Sequence, residues 1–203
     1  MPDNKRTRII SLEGGPAVGK TTLAKNLQKL LPDIYFNYED PAIAINKARE
    51  LNLDKNKEAD FVANQKIFIT ETIKRCQNLP VGTVILDLSP EETEFHTFSW
   101  PKFINQDWDM EKNLKSELAQ LRQYRSELIL YLDCSPEILR QRKTADQTRN
   151  RGSFDQYLSG LHQLRKEWFN HLNHVTIKRV DNMTEIQLVD WAINWLRERQ
   201  VIS

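Results

Sequence analysis

An α/β fold with a mostly parallel, five-stranded sheet is what this sequence predicts, and two patterns predict it. Short apolar runs alternate along the chain with segments whose apolar residues recur at helical spacing, as strand–helix units require. The runs are continuous rather than alternately polar, which suits strands covered on both faces, as in a parallel sheet. At 203 residues the chain can bury a sizeable core without exceeding what one core supports, so one domain spanning 1–203 is expected.

The first strand is Ile9-Ile10-Ser11-Leu12, followed by a helix with Leu23, Leu27, Leu30 and Leu31 on one face and Pro32 closing it. Asp33–Asn37 is a weaker strand signal. A second helix carries Val62, Lys66, Ile69, Ile73 and Cys76 as its stripe, and Val84-Ile85-Leu86 follows as a strand. Leu114, Leu118 and Leu121 mark a third helix before the strand Leu128–Leu132. Val175-Thr176-Ile177 is the last strand, and Ile186, Val189, Ile193 and Leu196 make an amphipathic final helix. Polar residues 143–153 form the longest loop signal, inside the domain rather than between two.

Composition narrows the function classes. With 29 Lys+Arg against 28 Asp+Glu, the net charge of +1 disfavours a polyelectrolyte partner such as bulk nucleic acid. Two cysteines, Cys76 and Cys134, lie outside any Cys-x-x-Cys spacing, which argues against a disulfide framework or zinc site. The charged N-terminus is no secretion signal, and no run approaches the roughly 20 apolar residues of a membrane span. A cytoplasmic protein with neither membrane nor nucleic-acid partner is expected.

The most specific motif is Gly14-Gly15-Pro16-Ala17-Val18-Gly19-Lys20-Thr21, a full match to G-x-x-x-x-G-K-[ST] between a strand and a helix. Glycines let backbone N–H groups curl around phosphate oxygens, and the helix start adds its positive end. Lys20 can reach the β- and γ-phosphates, and the Thr21 hydroxyl can ligate Mg²⁺, so ATP and Mg²⁺ are expected on Gly14–Thr22. Together with the strand pattern, this predicts a three-layer P-loop NTPase fold. The chain is too short for a motor and lacks a guanine-reading Asn-Lys-x-Asp sequence, which leaves small kinases and regulatory ATPases.

Downstream, Tyr131-Leu-Asp-Cys-Ser-Pro-Glu-Ile-Leu-Arg-Gln-Arg142 leads into a basic loop, then Tyr157-Leu158-x-x-Leu161-His162, with Trp168 six residues past the histidine. Here the sequence resembles the deoxynucleoside kinase family, with thymidylate kinases as more distant relatives, from Ile9 to about Val180. The resemblance implies phosphoryl transfer from ATP to the 5′-hydroxyl of a deoxynucleoside, and it leaves a homodimer open. It also implies a carboxylate base after the second strand, where Glu39-Asp40-Pro41 stands. An attacking hydroxyl must lose a proton, so a carboxylate there makes chemical sense. The alternative for Asp40 is to start the helix at Pro41, and Glu39 is its rival for the base role. By resemblance, Gln65 contacts the nucleobase, with Phe61 or Phe68 to stack on it; Thr72 and Arg75 share that side of the helix.

Asp87, closing the strand Val84–Asp87, suits a carboxylate near Mg²⁺ at the carboxyl edge of the sheet. The family has an acid–Arg–Ser or acid–Arg–Tyr triplet here; this chain reads Asp87-Leu88-Ser89, and the family's double Glu after the lid arginines is missing. Residues 140–151 hold Arg140, Arg142, Lys143, Arg149 and Arg151 against the single acid Asp146, an arginine-rich lid (about 141–153) suited to offsetting charge on a transferring phosphoryl. Arg142 aligns best with the family's first lid arginine. Residues 87–94 hold four acids and no Lys or Arg, so a phosphate ligand between a basic lid and an acidic strand end is the expectation.

Because Leu88 replaces arginine, two further readings stay open. One is a nucleoside monophosphate or other small alcohol as acceptor, with Arg49 or Arg75 as cationic anchor. The other is an ATP-binding regulatory protein without an acceptor site.

Overall fold

The computed structural model describes residues 7–145 and 154–203. Its elements in chain order are β1 (Arg8–Gly14), α1 (Lys20–Leu30), β2 (Tyr35–Tyr38), α2 (Ala42–Glu50), α3 (Glu58–Gln77), β3 (Thr83–Asp87) and α4 (Pro90–Phe103). Then come α5 (Met110–Asn113), α6 (Lys115–Leu121), β4 (Leu128–Asp133), α7 (Pro136–Ala145) and α8 (Phe154–Gln156). A π-helical turn (Tyr157–Leu161) leads into α9 (His162–Asn170), β5 (Val175–Arg179) and α10 (Glu185–Glu198). The five strands form one sheet, β2-β3-β1-β4-β5, with every pairing parallel. All five expected strands are present.

The central strand β1 is buried from Ile9 onward, which explains its unbroken apolar run. Ile10 and Leu12 join Leu23 and Leu27 of α1 in the main core. Ile9 packs on Val84 and Leu86 in a separate small cluster. The side chains alternating with Ile10 and Leu12 become polar toward the carboxyl end: Ser11 meets Ser126 at 2.7 Å, and Glu13 is fully buried. In register, Leu12 lies opposite Asp87 on one side and Leu130 on the other, so the loop after β1 opens beside the end of β3. That juxtaposition positions the site.

Three helix faces differ from the periodicity. On α1, Leu23, Ala24 and Leu27 are buried while Leu30 is 58% exposed. On α10, Ile186 is 74% exposed, and Leu188, Val189, Ala192, Trp195 and Leu196 face inward. The buried face of α3 is Phe61, Gln65, Ile69, Ile73 and Cys76, so Phe61 and Gln65 replace Val62 and Lys66 in the expected stripe.

Periodicity does not reveal α4, because its buried side includes Glu91, Glu92 and Glu94. Ser89 and Pro90 start it: the Ser89 hydroxyl accepts from the Glu92 amide at 3.2 Å, and proline occupies the first turn. Each glutamate finds a partner inside the protein. Glu91 takes the amide and hydroxyl of Ser126 (2.7 and 3.0 Å), Glu92 pairs with Arg165, and Glu94 holds Arg122 and Arg125. Glu91, Glu92 and Glu94 are therefore engaged internally rather than presented to a ligand, which leaves Asp87 as the acid of this run that lines the cavity.

Candidate active site

The loop between β1 and α1 is shaped by left-handed backbone at Gly14 (φ 133°), Ala17 (φ 67°) and Gly19 (φ 110°). Gly14 also lies against the Leu132 carbonyl, with no room for a Cβ. No side chain caps α1, so its first N–H groups remain available to an anion. Lys20 Nζ donates to the carbonyls of Gly14 (2.6 Å) and Gly15 (3.1 Å), lying back along the loop. Burial, then the charge of Arg165, lowers its pKa. A cavity of about 1460 Å³ opens over this loop, lined by Gly15–Leu23 on one side, Tyr38, Glu39, Asp87 and Leu88 on another, and Arg142 with Met183–Glu185 on a third.

Thr21 and Asp87 come together as expected: the Thr21 hydroxyl donates to Asp87 Oδ2 at 2.6 Å, and Oδ1 is buried without a partner. Among the described residues, no group of three or more His, Cys, Asp or Glu is arranged to hold a metal. A hard cation would thus rest on this hydroxyl–carboxylate pair and on phosphate oxygens, a sparse protein ligation that suits Mg²⁺.

The two acids after β2 separate. Asp40 is exposed, and its Oδ1 accepts from the Ala42 amide at 3.0 Å, closing an Asx turn ahead of α2. Glu39 lines the cavity. Like Asp40 it is exposed, yet desolvation by the surrounding protein and then the charge of Glu92 raise its carboxyl pKa, against the opposing fields of Arg75, Lys20 and His96.

Arg142 sits on α7 and lines the cavity, with both amino groups engaged: Nη1 donates to the Val18 carbonyl and Nη2 to that of Val180, each at 2.8 Å. It ties the phosphate loop to the segment after β5. Arg149 and Arg151 lie outside the described residues. Phe61 is 2% exposed, packs on Trp108 (5.6 Å) and does not line the cavity. Gln65 is also buried and accepts from the Thr97 hydroxyl at 3.0 Å; neither it nor the half-buried Phe68 lines the cavity. Of the candidate anchors, Arg49 is exposed on α2, whereas Arg75 reaches the Leu88 carbonyl at 2.7 Å.

Several residues around the loop escape sequence reading. Tyr157, at the π-helical turn, presses its hydroxyl on Gly15 and contacts His162 Nδ1 at 3.1 Å; burial pushes the phenol up to about 12 and the imidazole down. Arg165 lies buried between the rings of Phe95 (4.8 Å) and Tyr157 (5.4 Å) and pairs with Glu92, whose second oxygen meets His96 Nε2 at 3.0 Å. Burial alone would raise the Glu92 carboxyl, but Arg165 and His96 bring it down to about 2. Glu13, directly before the loop, accepts from the Ser89 amide at 2.6 Å, and burial followed by Glu92 pushes its carboxyl well up. An acid inside an apolar strand is the one signal that could have flagged this group.

A family model described as deoxynucleoside kinase matches residues 10–199. The chain belongs to the deoxynucleoside kinase family. As a family member it is a nucleoside kinase-like phosphotransferase acting on nucleosides or nucleotides. Sequence comparison with curated proteins returns no match. Among solved structures, deoxyadenosine kinase from M. mycoides with bound dCTP aligns at a TM-score of 0.70 with 16% identity, covering 94% of this chain and 99% of that one. The same enzyme with products dCMP and dCDP bound aligns equally well, at 0.70 and 16%, covering 94% and 98%. Thymidylate kinase from Candida albicans aligns at 0.65 with 19% identity, covering 97% and 93%. At these identities the likeness establishes the kinase fold. No helix of this kinase, among the described residues, is long and apolar enough to cross a membrane.

Proposed function

We propose that this kinase transfers the γ-phosphate of ATP to the 5′-hydroxyl of a deoxynucleoside, with Glu39 as the general base. The observation that carries this reading is that Glu39, not Asp40, faces the P-loop cavity with its carboxyl pKa raised. A base poised closer to neutrality accepts a proton more effectively in the transition state. Glu39 takes the hydroxyl proton as the 5′-oxygen forms its bond to the γ-phosphorus and the bond to the ADP oxygen breaks. The α1 N–H groups hold phosphate oxygens, and Lys20 exchanges the Gly14 and Gly15 carbonyls for them. Mg²⁺, when bound, neutralises charge on the β- and γ-oxygens; Thr21 and Asp87 would hold it. Arg142 braces the nucleotide side of the cavity, and the lid positions Arg149 and Arg151 are proposed to close over the phosphates.

Single-turnover transfer of label from γ-labelled ATP, across the four deoxynucleosides and their 5′-monophosphates, tests this. Labelled monophosphate is the expected product, and Lys20→Ala should abolish it while leaving the melting profile cooperative. Label appearing only in diphosphates would move the acceptor to a nucleoside monophosphate. Stabilisation by ATP with no transfer to any acceptor would make the protein a regulatory ATP binder.

A further inference from the structure

The cavity wall beside the P-loop contains a backbone conformation that needs explanation. Leu88 has φ +76°, a left-handed conformation costly for a branched side chain, and it persists only if its surroundings hold it. Two bonds do so. Its amide donates to the Leu12 carbonyl at 3.3 Å, and its carbonyl accepts from Arg75 Nη2 at 2.7 Å. Arg75 reaches across from α3, yet its Nε and Nη1 are buried without any partner. Leaving guanidinium donors unpaired is expensive unless their charge has something to do.

The other cations near Glu39 are committed. Arg165 is paired with Glu92, His96 shares that carboxylate, and Lys20 lies along the phosphate loop. Among the described residues, Arg75 has no carboxylate within salt-bridge distance, although its field reaches Glu39. Arg75 does not itself line the cavity; its charge is fixed behind the Leu88 turn, which does.

We propose that Arg75 is a positioning residue for the acceptor of this kinase: from behind the Leu88 turn its charge attracts the 5′-phosphate formed on the acceptor without touching it, and its hydrogen bond shapes the turn that lines the cavity. Leu88 itself offers no charge, so the cation arrives from a different element of the fold. The inference rests on the nucleoside-phosphorylation reading above. Its chemistry makes a specific distinction. A nucleoside is neutral at its 5′ end and its monophosphate is doubly anionic, so only the latter should feel the charge strongly.

The test compares binding of the four deoxynucleosides and of their 5′-monophosphates to wild type, Arg75→Gln and Arg75→Lys. Glutamine keeps an N–H donor for the Leu88 carbonyl and removes the charge; lysine keeps the charge. Arg75→Gln should weaken monophosphate binding about tenfold or more and nucleoside binding less than about threefold, while Arg75→Lys restores the monophosphate to within about threefold of wild type. Parallel losses for both ligands, or no loss for either, would reduce Arg75 to a structural brace and overturn the proposal. An Arg75→Gln variant that does not fold overturns it too if Arg75→Lys, folded, binds monophosphate no better relative to nucleoside than a neutral site would. Failure of wild type to bind any nucleoside or monophosphate removes the functional reading, and this proposal with it.

Discussion

Replacing Glu39 and Asp40 one at a time distinguishes a base from a turn former, because the structure gives the two neighbours different costs. The Asp40 carboxylate makes one exposed hydrogen bond, Oδ1 to the Ala42 amide at 3.0 Å, whose net worth is about 0.5–1.5 kcal/mol. In a chain of this size, that corresponds to a melting shift of about 1–6 °C for Asp40→Ala. Catalysis should hardly change, since the side chain does not line the cavity. Glu39→Gln reverses the pattern. Its carboxyl pKa is raised, so the folded protein disfavours the charged form, and a neutral isostere should leave stability within about 0.5 kcal/mol. Loss of a positioned base costs about 10²–10⁴-fold in kcat. The assay pairs steady-state kinetics on a deoxynucleoside with thermal denaturation. In wild type, the acidic limb of kcat/KM should lie above 4.5, the group's ordinary value, and Glu39→Gln should abolish that limb. An Asp40→Ala enzyme slowed by orders of magnitude, beside an active Glu39→Gln enzyme, would refute the reasoning.

Two further outcomes follow from packing around the phosphate loop. A methyl group at Gly15 would collide with the Tyr157 hydroxyl and lie 3.0–3.1 Å from its ring carbons. Gly15→Ala should therefore lose about 1–3 kcal/mol and ATP affinity, with partial rescue by Tyr157→Phe; a double variant no better than Gly15→Ala would count against that contact. Glu92→Gln leaves Arg165 buried without its counter-charge and should cost about 3–5 kcal/mol in denaturant titration. The Glu92 carboxyl sits at about 2 in the folded state against an ordinary 4.5. Its contribution is complete above pH 4.5 and fades as the pH falls toward 2, so the variant's deficit should shrink over that window. A deficit constant from pH 7 to 3 would contradict the assignment.

Legibility from sequence tracked how local each feature is. The strands β1, β3 and β4 were readable because burial on both faces writes itself as consecutive apolar residues, whereas β5, a half-buried edge strand, showed only the short run Val175-Thr176-Ile177. The phosphate loop was readable because its glycines, lysine and threonine act within one strand–turn–helix unit. Helix α4 was hidden because its inward glutamates are tolerated only through Ser126, Arg165, Arg122 and Arg125, contributed from distant parts of the chain. The buried face of α3 was not located by spacing, for a related reason. Phe61 and Gln65 fall on the buried face once α3 packs near Trp108 and Thr97, which helical spacing alone does not locate.

The sequence by itself determined the α/β class, the phosphate loop and the pairing of Thr21 with an acid at the end of β3, all consequences of local patterning and of the parallel sheet's geometry. Tertiary structure decided which of two adjacent acids lines the cavity, which arginine stands behind Leu88, and that Glu91, Glu92 and Glu94 are engaged from within. Those outcomes depend on side chains from separate elements meeting at one point. One residue of backbone rotation separates Glu39 on the cavity lining from Asp40 in its turn to the Ala42 amide, and only the packed strand and helix settle that rotation.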